Sequence, residues 1–257
     1  MAFTTVLQDD FRNARRSRVV VAVVGVFAAL AAIMFVSESS IHADGYRTLF
    51  DLSFLTAVLL PLFVAPLTYL AVAGDRASGA IKYAVGLPNS RTEYVLAKWV
   101  SRAGVAVAAP VVATAVGFIV ALATFAATPD PVRFLTFAAV SALYALAMTG
   151  VFLAISTLTA SRSRAMFGVI GAFFLLVPFW FGLVPVVQVT TLLDFAETLF
   201  GITIDERTRA TIRALSPTTA YLEATEPVYD GVVGEYERIS GTFGSESDAL
   251  ANELWFN

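Results

Sequence analysis

The chain has 257 residues, of which 58% are hydrophobic and only 14% charged, with a formal net charge of −3 and a mean hydropathy of +0.75. A soluble domain averages about 45–50% apolar and about 25% charged residues. The composition therefore excludes an ordinary soluble protein and indicates a polytopic membrane protein. The sequence contains no cysteine, which excludes disulfide bonds and thiol chemistry.

The N-terminal residues 1–16 have the pattern of an amphipathic helix. Phe3, Leu7 and Phe11 recur at a spacing of four, and arginines follow at the end of the segment. Such a helix lies in the plane of the lipid headgroups, so we predict an interfacial helix with membrane lipid as its partner. A basic flank that only sets topology is an equally good interpretation.

Five apolar runs are each about long enough to cross a bilayer, which takes roughly 20 residues. Continuous apolar runs favour helices over the alternating strands of a barrel, so we predict an all-α transmembrane bundle. None of the runs contains aspartate, glutamate, lysine, arginine or histidine, which argues against ion-coupled transporters and intramembrane proteases. The five predicted spans are Val19–Val36, Leu52–Ala73, Ala103–Ala127, Phe134–Ala160 and Met166–Val187.

Proline occurs inside two of these runs. The second run contains Pro61 and Pro66, and the fifth contains Pro178 and Pro185. An interior proline removes a backbone hydrogen bond and can kink a helix, although proline is also common in membrane helices.

Most of the 17 lysines and arginines fall on one side of the predicted spans. They lie before the first run, between the second and third, and between the fourth and fifth. The positive-inside rule places this side in the cytoplasm. We therefore predict a multi-pass protein of the plasma membrane with a cytoplasmic N-terminus.

The cytoplasmic segment 74–99, between the second and third runs, has a pattern of its own. Leu87–Asn89 reads as a turn, and Ser90 with Glu93 fits a capping box that would begin a helix leading into the third span. Ala77–Val85 reads as a second, short helix. The segment is either a helix–turn–helix that meets a partner or a basic collar against lipid headgroups.

Residues 1–187 form the predicted transmembrane domain, and residues 188–257 form an acidic extracellular region. Within it, Val189–Phe200 is amphipathic and is expected at the outer membrane surface. Asp205 is a candidate N-cap for a helix that ends before Ser216–Pro217. Apolar residues return at the end of the chain. We therefore expect a sixth span to follow, which the chain as given lacks.

The motifs of an enzyme are absent from the sequence. A phosphate-binding P-loop needs a glycine directly before its lysine, and neither Lys82 nor Lys98 has one. We expect no ATPase site, no cofactor and no catalytic residue in this chain, so any use of ATP requires a partner subunit. The single histidine, His42, does not suggest a metal site, and nothing indicates a nucleic-acid partner.

The segment 74–99 resembles the signature region of the type-2 ABC transporter permeases. In that family an acidic–Arg pair and a glycine precede a short helix, and a Leu/Pro turn, a Ser/Asn–Arg pair and a lysine follow. The matching residues here are Asp75-Arg76, Gly79, Leu87-Pro88, Ser90-Arg91 and Lys98. Leu215-Ser216-Pro217 with Ala220-Tyr221 is similar to the stretch before the family's last span. Position 80 is alanine, where the family often has threonine.

The resemblance implies the membrane subunit of an exporter. Two copies, or this chain and a sister permease, would pair with two ABC ATPase subunits, and the cytoplasmic segment would be the coupling helix. The residues implied for ATPase coupling are Asp75, Arg76, Gly79, Ile81, Lys82, Tyr83, Leu87, Pro88 and Arg91. The alternative is a membrane-anchored structural or sensor protein whose acidic extracellular region binds a partner.

Overall fold

The structure, a computed structural model, describes residues 18–79, 81, 90–180 and 188–229. All regular secondary structure in these ranges is helical, as predicted. The interfacial helix predicted at residues 1–16 and the proline at position 185 lie outside the described residues. The helices are α1 (Arg18–Glu38), α2 (Tyr46–Thr68), α3 (Ala73–Ser78), α4 (Arg91–Thr124), α5 (Pro131–Leu158), α6 (Arg162–Phe174, continued by a π-helical turn Leu175–Phe179), α7 (Val189–Phe200), α8 (Glu206–Arg213) and α9 (Pro217–Thr225, continued by a 3₁₀ turn Glu226–Tyr229).

Five helical segments of the described chain are long and apolar enough to cross a membrane, which confirms the number of spans predicted for it. They are Val20–Glu38, Tyr46–Ser78, Arg91–Thr124, Pro131–Leu158 and Arg162–Phe179.

Several helices extend well past the apolar runs, because polar caps and not the ends of the runs decide where a helix begins. The Asp130 side chain caps α5 by accepting from the Val132 amide at 2.9 Å. Ser90 and Glu93 form the predicted capping box at the start of α4, with each side chain accepting from the other residue's amide at 3.1 and 2.8 Å. The apolar runs carry no charge, but the helices that contain them do.

The core of the bundle is aromatic and aliphatic. Its largest fully buried side chains include Phe27, Phe35, Phe137 and Phe152. Helix α1 lies along α4, α4 packs on α5, and α5 packs on α2. The contact of α1 with α4 depends on a small residue, because a Cβ added at Gly117 would lie 2.6 Å from the Phe35 ring.

Replacing Gly117 by alanine should destabilise the protein by about 1–2 kcal/mol, because an extra methyl in a packed core forces neighbouring side chains to shift. The Phe35 ring has little room to move, since it contacts the rings of Phe125 and Phe134. Gly25→Ala in α1 is the matched control, because an added Cβ there meets nothing within 4 Å. Thermal unfolding in detergent measures both changes, and equal midpoints for the two variants would contradict the packing argument.

Pro61 lies inside α2, and its missing amide is compensated from another helix. A proline cannot donate to the carbonyl four residues earlier, here that of Ala57. The Tyr144 hydroxyl of α5 donates to this carbonyl at 2.8 Å. The carbonyl that Pro61 leaves without a donor in α2 thus becomes a hydrogen-bonding site for α5.

The described part of the region after α6 contains two different structures. Helices α7 and α8 form a pair outside the bundle, and α7 has the bounds expected for the amphipathic segment. Asp205 is the N-cap of α8 as predicted, with its pKa lowered by the hydrogen bonds that it accepts from the Thr208 side chain and amide. The chain then returns to the bundle, which the sequence did not predict.

Helix α9 packs against α2 and α5. Ser216 does not simply end the preceding helix but is the buried N-cap of α9, and its hydroxyl donates to the Leu176 carbonyl of α6 at 2.9 Å. Tyr221 of α9 stacks on the ring of Tyr144 with centroids 4.5 Å apart, and its hydroxyl lies 3.0 Å from that of Ser141. The Leu-Ser-Pro stretch therefore begins a short helix that enters the bundle. Its contacts there form the polar centre of the bundle, which consists of Ser141, Tyr144, Thr218 and Tyr221.

Candidate functional site

The candidate site is the turn between α2 and α3 together with α3 itself, at the end of the bundle where α4 begins and α5 ends. The turn is fastened by one buried side chain, Ser156 of α5. Its hydroxyl donates to the Tyr69 carbonyl at 2.9 Å and accepts from the amides of Val72 and Ala73 at 3.2 and 3.1 Å. Because the first amides of a helix have no partner inside the helix, this hydroxyl fixes the start of α3.

Arg76 attaches α3 to the end of α5. Its guanidinium donates to the Thr157 carbonyl at 2.5 Å and to the Thr159 carbonyl at 3.3 Å. The last carbonyls of a helix lack intrahelical donors and carry the negative end of the helix dipole, which favours a cation there. Arg76, which lies in α3, therefore caps the C-terminal end of α5.

Asp75, the residue before, attaches α3 to α4. Its carboxylate accepts a hydrogen bond from the Tyr94 hydroxyl and lies 3.3 Å from the Lys98 ammonium. Lys98 also lies over the Tyr94 ring, 5.8 Å from its centroid. Asp75 and Arg76 thus connect α3 to two different spans.

Gly79 ends α3. Its φ of 78° lies in the left-handed region, which glycine adopts without the steric cost that a Cβ brings. The predicted helix Ala77–Val85 is therefore wrong at its start, because the structure has a helix that begins at Ala73 and ends at Ser78. An added Cβ at position 79 would meet nothing within 4 Å, so backbone conformation and not space favours glycine here.

The structure brings together some of the residues implied for coupling. Ile81, one of the implied coupling residues, is half-buried and packs against a small cluster that includes Val72, Tyr94 and Leu153. Arg91 is exposed at the first position of α4. The remaining predicted coupling residues, Lys82, Tyr83, Leu87 and Pro88, lie outside the described residues.

Three residues that hold the site together were not among the predicted coupling residues, namely Tyr94, Lys98 and Ser156, although Lys98 was part of the family resemblance. Tyr94 is buried one helical turn before Lys98, so the spacing of four was a weak signal that both face the same neighbour. Ser156 gave no signal, because a serine near the end of an apolar run looks like any other small polar residue of a membrane helix.

The fold and this site define a class of protein. It is a helical membrane protein in which a short helix at one end of the bundle, α3, is bonded to two neighbouring spans, α4 and α5. The sequence matches the family model described as ABC-2 family transporter protein over residues 4–233. The chain belongs to this family. It is a membrane permease component of an ABC transporter, and in this family a separate subunit carries the ATPase. No curated protein matches the sequence.

Proposed function

We propose that this permease component is an exporter subunit in which segment 74–99 receives the motion of the ATPase. In this proposal the chain lies in the plasma membrane with its N-terminus in the cytoplasm, and it pairs with a second copy or a sister permease. Two ABC ATPase subunits bind this pair from the cytoplasm. The observation that carries the proposal is the double attachment of α3 through Asp75 and Arg76.

The geometry supports transmission of force through α3. A push on this short helix reaches α4 through Asp75 and α5 through Arg76, because the side chains of these two residues contact the spans directly. Helix α5 in turn packs on α2 and α9. A displacement at the cytoplasmic end would therefore reach the polar centre of the bundle.

The sequence supplies the side chains that would contact the ATPase. Apolar and aromatic side chains such as Leu87 and Tyr83 are the kind that fill pockets at protein interfaces. Charged residues such as Lys82 and Arg91 set the register and orientation of a docked helix. In this proposal the ion pair of Asp75 keeps the base of the segment rigid, and the residues that follow bind the partner.

The test is co-purification of this chain with its co-expressed ABC ATPase subunit. Leu87→Asp and Arg91→Glu should each reduce the recovered ATPase by about tenfold or more, which is the loss of about 1.4 kcal/mol expected for an anchor residue. Arg164→Glu is the matched control, because Arg164 is an exposed arginine on the same side of the bundle, in the first turn of α6. Undiminished recovery with both segment variants would show that the ATPase binds elsewhere.

A further inference from the structure

Helix α7 has an apolar side that nothing in the described part of the chain covers. Leu192, Phe195 and Leu199 are 54%, 61% and 61% exposed, and their spacing of three and four residues places them on one face. Asp194 and Glu197 lie on the other side of the same helix. An exposed strip of large apolar side chains needs an apolar surrounding.

The polar side of α7 is bound to α8. The Arg209 guanidinium contacts the carboxylates of Asp194 and Glu197 at 2.8 and 2.7 Å. Helix α8 has no buried residue and is rich in charge. The two helices therefore form a layered pair, with the polar α8 on one side and the apolar strip of α7 on the other.

The level of this pair relative to the membrane follows from α6. The span Arg162–Phe179 has 18 residues and is about 27 Å long at 1.5 Å per residue, close to the roughly 30 Å thickness of the hydrocarbon core. Trp180 follows at its end and donates its indole N–H to the Arg213 carbonyl of α8 at 2.9 Å. Tryptophan is enriched at the membrane–water boundary, so the pair lies at that boundary, on the side of the bundle opposite to α3.

We propose that the apolar strip of α7, formed by Leu192, Phe195 and Leu199, inserts into the headgroup–acyl boundary of the lipid leaflet on this side. A stable protein partner would bury about 1,200–2,000 Å² in total, far more than three side chains on a helix of 12 residues supply. An interfacial helix needs only such a strip with a charged opposite face. The span α6 leads to this level with its own apolar side chains, Phe167 and Phe174, exposed to the same lipid phase.

Membrane insertion gives α7 a role in the fold. The chain that follows it passes through α8 and then turns back into the bundle at Ser216. A helix held at the lipid boundary sets the depth from which this return begins. Insertion of α7 requires only that the long helices span a membrane, and it does not depend on ATPase coupling.

The absence of native cysteine makes single-cysteine spin labelling a direct test. Leu199→Cys and Asp194→Cys, on opposite sides of α7 and both exposed, are each labelled with a nitroxide. The full chain is reconstituted in vesicles of phosphatidylcholine and phosphatidylglycerol. Power-saturation EPR then compares accessibility to oxygen, which concentrates in lipid, and to a water-soluble nickel chelate.

We expect the label at position 199 to be more accessible to oxygen and the label at position 194 to be more accessible to nickel. Strong nickel accessibility at both positions would place α7 in water and overturn the proposal. A label at position 199 that neither reagent reaches would also overturn it, because another protein surface, such as a second copy, would then cover the strip. The two positions serve as each other's control, since both labels sit on exposed side chains of one helix.

Discussion

Replacing Ser156 by alanine should lower the free energy of unfolding by about 3 kcal/mol, the largest effect we expect from a single atom in this bundle. The hydroxyl serves two amides and one carbonyl at the start of α3. Each buried backbone group left without a partner costs about 1–3 kcal/mol. Thermal unfolding of the purified protein in detergent, followed by tryptophan fluorescence, measures the loss.

The neighbouring residue provides the control for this prediction. The Thr157 hydroxyl is exposed, and among the residues that the structure describes it bonds only within its own helix, to the Ala154 carbonyl at 2.7 Å. Thr157→Ala should therefore change stability little. Trypsin adds a local measurement, because cleavage after Arg76 requires α3 to open. If Ser156→Ala unfolds and is cleaved no faster than Thr157→Ala, the hydroxyl does not hold α3.

Replacing Tyr144 by phenylalanine should cost about 2 kcal/mol, because the change keeps the ring but removes the hydroxyl that serves the Ala57 carbonyl. Inside a membrane bundle no water reaches such a carbonyl, so its desolvation is not compensated. The change also removes the contact between the Tyr144 hydroxyl and the Thr218 hydroxyl of α9, which lie 3.1 Å apart. Unfolding by denaturant in detergent measures the difference.

A second mutation separates the two contributions of Tyr144. Pro61→Ala restores an amide that can donate to the Ala57 carbonyl, so Tyr144→Phe should cost less in that background than alone. Pro66→Ala is the matched control, because the amide restored at position 66 would serve Leu62 and not Ala57. Equal costs of Tyr144→Phe in both backgrounds would contradict the role assigned to the proline.

The features that the sequence predicted correctly are those fixed by local chemistry. The apolar runs predicted the spans, and Ser90 with Glu93 predicted a helix start because both members of a capping box lie within four residues. The segment Val189–Phe200, singled out for its amphipathic pattern, has the same bounds as α7. The start of α5 was placed a few residues too late, because a helix begins at its cap, here Asp130, and not where its apolar residues begin.

The candidate site could be predicted only in part. Asp75 and Arg76 were selected through the family resemblance, but the partners of Arg76 were not, because Thr157 and Thr159 lie about eighty positions further along the chain. A pattern of neighbouring residues cannot predict a contact between residues so far apart in the sequence. The return of α9 was missed for the same reason, since its contacts with α5 are tertiary.

The attachment of α9 has a consequence for the order in which the protein is completed during synthesis. The carbonyl of Leu176 in α6 and the hydroxyl of Ser141 in α5 receive their partners from residues 216 and 221. The ribosome makes those residues only after the five membrane helices. The spans must therefore enter the bilayer while these polar groups still lack their partners, and this part of the bundle is completed only when the later segment folds back onto it.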